Sequence, residues 1–313
     1  MDTKPVIEIQ HATKDYGNGK GVFDLSFSVP KGEVFGYLGP NGAGKTTTIR
    51  QLMGFIRPDQ GICRIMGKDC FQKAQEIQKK AGYLAGELAF PEDMTGRGFL
   101  KFMADLKGME DHSYMEELME RFELDPKGKM GKMSKGMKQK VGIVNAFMHH
   151  PEVVVLDEPT SGLDPLMQNT FVELILEQKQ KGTTILMSSH IFEEVEKTCD
   201  RTAIIRSGRI VAVEDMKGLA RKRKKIYRVT LQGREAVEGL LREPGVQAWR
   251  QKGMAEGVLP NQAELTVTGN LPDVLQKFAA YGIQDLEVRP QSLEELFLQY
   301  YEDGRQEKGR WGK

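Results

Sequence analysis

The chain has 313 residues, 39% of them hydrophobic and 28% charged. That is more than one small core carries, so a single short module is excluded, as are disordered and collagen-like classes. Lys plus Arg number 45 against 44 for Asp plus Glu, so no bulk positive field gathers nucleic acid, and no nucleic-acid partner is expected.

No apolar run reaches the ~18–20 residues that cross a bilayer, and Met1–Pro5 lacks the basic stretch and apolar core of a secretory leader. The expectation is a cytoplasmic chain with no membrane span. Cys63, Cys70 and Cys199 are odd in number and carry no Cys-x-x-Cys spacing, which points to reduced cysteines rather than a disulfide framework or a zinc site.

In chain order, short β-branched or apolar runs predict strands at Ile7–Gln10, Phe23–Val29, Glu33–Leu38, Cys63–Met66 and Gly82–Leu84. From Pro91 to His150 the strand signals stop, and Phe99–Leu106 and Tyr114–Phe122 carry apolar residues at helical spacing. A helical subdomain is therefore expected over about residues 91–150, with His149-His150 read as a helix C-terminal cap. Strands resume at Val153–Leu156, Thr184–Ser188, Ala203–Arg206 and Arg209–Val213. This alternation predicts an α/β fold with a mixed sheet covered by helices.

The run Arg221-Lys222-Arg223-Lys224-Lys225 has no apolar face to bury and reads as a linker or the end of a helix. Beyond it come a strand (Ile226–Leu231), a helix (Ala236–Leu241), two strands (Gln247–Gln251, Glu264–Thr268), a helix (Leu271–Tyr281) and a strand (Asp285–Val288). The order β-α-β-β-α-β is that of a ferredoxin-like domain. A closing helix is expected from Leu293 to Tyr301, then a polar, disordered tail. The predicted domains are residues 1–220 and 226–302, with the tail at 303–313.

Gly39-Pro40-Asn41-Gly42-Ala43-Gly44-Lys45-Thr46 matches G-x-x-x-x-G-K-[ST] between an apolar strand, Val34–Leu38, and the helix-like Thr46–Met53. Glycines let backbone N–H groups turn inward around phosphates, and the helix N-terminus adds positive potential. Lys45 then reaches the outer phosphates, Thr46 coordinates Mg²⁺, and Thr47 continues the binding turn. The predicted ligands are ATP and Mg²⁺. Val153-Val154-Val155-Leu156-Asp157-Glu158 is an apolar strand ending in two carboxylates. Asp157 is placed to hold Mg²⁺, and Glu158 to direct or deprotonate the attacking water.

Met133-Ser134-Lys135-Gly136-Met137-Lys138-Gln139-Lys140 lies between these motifs and resembles the signature of ABC-transporter ATPases. Asp157-Glu158-Pro159-Thr160 and Ser161-Gly162-Leu163-Asp164 resemble that family's Walker B and D-loop, and Ser189-His190 its switch histidine. Tyr16 falls where the family stacks an aromatic ring on adenine. The resemblance covers Val6 to about Val213 and implies an ABC ATPase core. Ser134 and Gly136 would close over the γ-phosphate held by a second subunit in a head-to-tail dimer, with Asp164 at the same interface. Three signature positions depart from the usual Leu-Ser-Gly-Gly-Gln. Gly86 occupies the family's Q-loop glutamine slot, and Glu87 beside it offers a carboxylate to the metal.

The resemblance implies an ATPase peripheral to the inner face of the membrane, powering a separate permease. The signature variant, Gly86-Glu87 and Pro290-Gln291-Ser292-Leu293-Glu294-Glu295-Leu296-Phe297 resemble the branch paired with ABC-2-type permeases, which export drugs, antibiotics, peptides or lipid-like cargo. The alternative is a soluble ABC ATPase acting on nucleic acid or ribosomes. Against it, this chain carries one cassette, with no coiled coil or zinc module between Thr46 and Ser134.

Overall fold

The computed structural model describes residues 4–249, 261–268 and 270–296. They form two compact units, the first ending at Lys217 and the second beginning at Gly218.

The first unit opens with β1 (Ile7–Asp15), β2 (Gly21–Val29), β3 (Val34–Leu38), α1 (Lys45–Leu52), β4 (Gln60–Ile65), β5 (Lys68–Asp69), α2 (Ala74–Lys80) and β6 (Ala81–Leu84). The helices α3 (Gly96–Lys107), α4 (Ser113–Arg121) and α5 (Lys135–Phe147) follow. The unit then continues through β7 (Val153–Asp157), α6 (Pro165–Gln180), β8 (Thr184–Ser189), α7 (Phe192–Thr198), β9 (Arg201–Arg206) and β10 (Arg209–Asp215).

Two sheets result. One is antiparallel, in the order β2-β1-β4-β5, and the other is six-stranded, in the order β10-β9-β3-β8-β7-β6. The pairs β9/β3, β3/β8, β8/β7 and β7/β6 are parallel, and β10 closes the edge antiparallel to β9. Every residue of β3 and β7 is buried, which is why these strands read as unbroken apolar runs rather than alternating ones. The core joins both sheets through α1: Ile9, Leu25 and Ile65 share one cluster with Ile49, Leu52, Tyr37 and Val155. Phe27 stacks on Phe35 at 5.2 Å between ring centroids.

The second unit comprises β11 (Lys225–Leu231), α9 (Arg234–Leu240), β12 (Val246–Ala248), β13 (Gln262–Val267), α10 (Leu271–Ala280) and β14 (Ile283–Pro290), with α8 (Met216–Lys222) running across the boundary. Its sheet has the order β12-β13-β11-β14, antiparallel throughout, which is the ferredoxin-like arrangement of a β-α-β-β-α-β chain. Val229, Leu231, Leu240, Leu265 and Phe278 fill its core. Residues 293–296 are helical. The remainder of the expected closing helix, the end of the expected strand at Gln251 and the expected tail lie outside the described residues.

The α/β class and element order follow the sequence pattern, while several boundaries differ for local reasons. β1 runs on to Asp15 because a register shift between Ile9 and Ala12 carries its polar end along β2. At that shift His11 and Asp24 have φ of 50° and 55°, and His11 Nδ1 lies 2.8 Å from Asp24 Oδ1. The two-residue β5 carries no pattern of its own and exists through its pairing with β4. Of the pair expected to cap α5, His150 closes the helix end, with φ of 48° and its N–H donating to Phe147 O at 3.0 Å, while His149 makes other contacts. Its Nε2 lies 3.3 Å from both Lys107 Nζ and Ala81 O, and burial pushes the imidazole down to about 4. His150 stacks on Tyr114 at 4.2 Å.

The helix α5 lies close on β6 because each contributes a glycine at a point of close approach to the other. A Cβ on Gly82 would stand 2.1 Å from Ala146 O, and one on Gly142 would stand 2.5 Å from Leu84 Cδ1. Backbone cannot yield as a side chain can, so Gly82→Ala should destabilise the chain by about 1–3 kcal/mol. A urea titration of both proteins measures this. An unchanged midpoint would mean that α5 shifts freely on the sheet.

Candidate active site

The order β3-β8-β7 places the C-terminal ends of three neighbouring parallel strands side by side, and ligands of open α/β sheets bind at such edges. Leu38 pairs with Ser189 and Ser188 with Asp157. The glycine loop after β3, the carboxylates ending β7 and the Ser189-His190 turn after β8 are thereby brought together.

Gly44, with φ of 110°, precedes α1 as its N-cap and supplies no side-chain acceptor. The first N–H groups of α1 therefore remain available for an anion. Pro40, Asn41 and Gly42 form an exposed rim, Ala43 is buried beneath it, and Gly39 packs so closely that a Cβ would lie 2.4 Å from Ile205 O. Lys45 is 5% exposed, and its ammonium donates to Gly39 O at 2.7 Å and Pro40 O at 3.3 Å. The same Nζ pairs with Glu158 Oε1 at 3.2 Å. Thr47 is half-buried on the following turn.

Asp157 is 1% exposed. Thr46 Oγ1 donates to its Oδ2 at 2.8 Å, and Ser188 Oγ donates to its Oδ1 at 2.5 Å. The next residue, Glu158, has φ of 49°, a left-handed conformation that costs of order 1–3 kcal/mol in a non-glycine residue. Its N–H donates to Ser188 O at 3.2 Å and Ser188 Oγ at 3.1 Å. The turn aims the carboxylate back at Lys45, and Glu158 Oε2 lies 3.4 Å from His190 Nδ1. The two carboxylates thus face different partners although adjacent in sequence.

The signature stands on the N-terminus of α5. Ser134 is exposed and caps the helix, its Oγ accepting from Met137 N at 3.2 Å. A Cβ on Gly136 would lie 2.8 Å from Gly162 O, and Lys135 Nζ donates to Ser161 Oγ at 2.8 Å, so signature and D-loop are packed together. Asp164 caps α6, accepting from Met167 N at 3.0 Å. Gly86 lies against the Asp157 carboxylate, where a Cβ would come within 3.1 Å of Oδ2. Glu87 is exposed and makes no ion pair among the described residues. Tyr16 is 54% exposed in the β1–β2 hairpin, with Lys14 Nζ 5.9 Å from its ring centroid. The hairpin continues into Val22, whose Cγ1 would lie 2.6 Å from a Cβ on Gly44.

Three residues that sequence reasoning passed over belong to this site. Ser188 joins Asp157 to the Glu158 backbone. Gln139 is 2% exposed and donates to Pro159 O at 2.6 Å, tying α5 to the turn after β7. Glu194 is a buried carboxyl group that accepts from Ser189 Oγ at 2.6 Å. Serine and glutamine carry no motif signal alone, and Glu194 sits among other acidic residues in Glu193-Glu194-Val195-Glu196.

Comparison with known proteins gives the family of the chain. The family model for ABC transporters matches residues 22–161. The bacitracin transport ATP-binding protein of Bacillus licheniformis is 39% identical over 66% of this chain and 68% of its own length. An uncharacterized ABC transporter ATP-binding protein, YhaQ of Bacillus subtilis, is 33% identical over 94% of this chain and 98% of its own. A solved ATP-binding subunit of an ABC transporter superposes with a TM-score of 0.63 at 32% identity, over 69% of this chain and 92% of that one.

Burial raises the Glu194 carboxyl from its ordinary 4.5 to about 7, the hydroxyls of Ser189 and Thr160 oppose the rise, and the charge of Glu158 adds to it. Between those two values the folded chain holds a proton that the unfolded chain releases. The resulting stability is complete below about pH 4.5 and is lost as pH rises through 7. Glu194→Gln cannot ionise, so its melting temperature should match wild type within about 1 °C at pH 4.5 and exceed it by about 5 °C at pH 8. Calorimetry at the two pH values tests this, and equal differences at both would show that Glu194 does not titrate with folding.

Proposed function

This chain belongs to the ATP-binding proteins of ABC transporters, and from that premise we propose how its residues divide the hydrolysis of ATP that energises a separate membrane permease. The observation that carries the reading is the pair of neighbouring carboxylates with separate partners: Asp157 with Thr46 and Ser188, Glu158 with Lys45 and His190.

The loop Gly39–Thr47 binds the phosphates through backbone N–H groups, and Lys45 meets the outer oxygens with its ammonium. Tyr16 stacks on the adenine. Glu158 accepts the proton of the attacking water, and His190, beside the same carboxylate, holds the terminal phosphate. Thr46 Oγ1 and the Asp157 carboxylate hold Mg²⁺, with Glu87 as an accessory carboxylate. The fit is chemical: the donors are hard oxygens, Thr46 Oγ1 and Asp157 Oδ2 already lie 2.8 Å apart, and Gly86 puts no side chain of its own over Oδ2. One or two carboxylates with substrate phosphates suffice for this ion. When bound, it neutralises charge on the phosphate oxygens.

Ser134 and Gly136 serve a nucleotide held by a second subunit in a head-to-tail dimer, with Asp164 shaping the same interface. Two observations support this: Ser134 is exposed, and the helix end it caps is packed against the D-loop. The permease is of the ABC-2 exporter class, and the cargo is a drug, antibiotic, peptide or lipid-like molecule. The similarity to a bacitracin transport protein supports that class. Among the described residues no helix is long and apolar enough to cross a membrane, and the chain is proposed to sit peripherally on the inner face of the permease membrane.

Two tests follow from this division. Glu158→Gln should reduce ATP turnover by at least about 10²-fold while retaining ATP binding, and should accumulate as an ATP-bound dimer. Turnover and sedimentation with ATP measure it, and wild-type turnover would remove Glu158 from the role of base. Ser134→Arg should bind ATP and fail to hydrolyse it, whereas Lys45→Ala should lose binding. A mixed dimer of the two has one site with both lesions and one with neither, so mixing should restore part of the activity. No recovery, or full activity of Ser134→Arg alone, counts against the shared site.

A further inference from the structure

His190 is carried on the turn between β8 and α7, and a side chain outside the turn fixes its shape. Ser189 Oγ accepts the N–H of Ile191 at 2.9 Å, bridging across His190, and donates to Glu194 Oε2 at 2.6 Å. Ile191 O also lies within 3.4 Å of the Ser189 hydroxyl, but the short bond goes to Glu194 and sets the orientation of the bridge.

Glu194 is 5% exposed, on the first turn of α7. Its Oε1 is buried without a hydrogen-bond partner. The hydroxyl of Thr160, after β7, bears on the same carboxyl, and the nearby charge of Glu158 acts against its ionisation. At the far end of α7 the buried Cys199 thiol feels the carboxyl in turn. A leucine would occupy this position at lower energetic cost, since burying a carboxyl group is more expensive than burying a hydrocarbon of similar size. Such groups persist where the structure uses them. Here the carboxyl lies between the ends of β7 and β8, which carry Glu158 and His190.

We propose that Glu194 is a positioning residue for ATP hydrolysis, fixing through the Ser189 hydroxyl the turn that presents His190 to Glu158. This rests on the roles given above to His190 and Glu158. The hydrogen-bonded route from Glu194 to His190 runs through Ser189 and the turn. Its effect therefore falls on turnover and spares nucleotide binding, which belongs to Lys45 and the glycine loop.

Steady-state ATP hydrolysis by the full chain at pH 7, with ATP and Mg²⁺, tests the inference. Glu194→Gln retains an acceptor for Ser189 and should keep kcat within about two-fold of wild type. Glu194→Leu keeps the bulk and removes the acceptor. Its kcat should fall at least ten-fold, with KM for ATP within two-fold and a urea midpoint no lower than wild type. Ser189→Ala breaks the same bond from the other side and carries the test should the leucine variant not fold. The combination of Ser189→Ala with Glu194→Leu should fall no further than the worse single change. The proposal is overturned by a leucine variant with wild-type kcat, by a glutamine variant as impaired as leucine, by KM rising in step with the loss of kcat, or by losses that multiply. Glu158→Gln and His190→Ala serve as controls. If neither reduces hydrolysis, the assignment of the site itself fails; if both do while the Glu194 variants remain at wild type, only the role of Glu194 is lost.

Discussion

The architecture of the site depends on one buried carboxylate. Asp157 ends β7 with almost no access to water, and an isolated carboxylate there would be expensive. It is held because hydroxyls from two other segments converge on it, Thr46 from the start of α1 and Ser188 from β8. Each of those bonds can form only if β3, β8 and β7 lie in that order with their C-terminal ends level, as the registers of Leu38 with Ser189 and Asp157 with Ser188 provide. The glycine loop, Glu158 and His190 are therefore located relative to a single anchor. Removing Thr46 or Ser188 would leave part of that charge unpaired, so the anchor is also the point at which binding and folding are coupled.

Adjacency to this anchor explains the unusual backbone of Glu158. A strand continuing past Asp157 would send the next side chain to the opposite face of the sheet. The left-handed φ breaks that alternation and turns Glu158 toward Lys45 and His190. The conformation is held by two bonds from its N–H, both to Ser188. One serine thus satisfies the anchor and supports the strained residue beside it.

Much of this was legible in the sequence. The glycine loop between a strand and a helix, the apolar strand ending in Asp157-Glu158 and Ser134 before α5 each have local signals, because each depends on chemistry fixed within a few residues. The ferredoxin-like order of the second unit was legible for the same reason, as its strands and helices are short and cleanly separated. Residues that act across the fold left no trace. Ser188 and Gln139 matter only because β7, β8 and α5 meet, and no spacing rule encodes that meeting. β5 has two residues and no pattern apart from β4, and the extension of β1 depends on a bulge that polar residues at a strand end do not announce.

The same distinction separates the surface around Lys45 from the one around Ser134. Around Lys45 the groups are bonded to one another, with Lys45 and Asp157 themselves buried. Ser134 is exposed, and its bond is to its own helix N-terminus. Yet the end of α5 is held tightly in place: Gly136 allows the D-loop backbone to approach, Lys135 bonds Ser161, and Gln139 bonds the turn after Glu158. A surface fixed so firmly from behind and left open in front is pre-organised for something outside the chain. Because Gln139 reaches the residue following Glu158, a load on the front of α5 would be transmitted to the turn that aims Glu158. On this argument α5 does more than present Ser134 at an open surface, since the same helix is joined through Gln139 to the turn that carries Glu158.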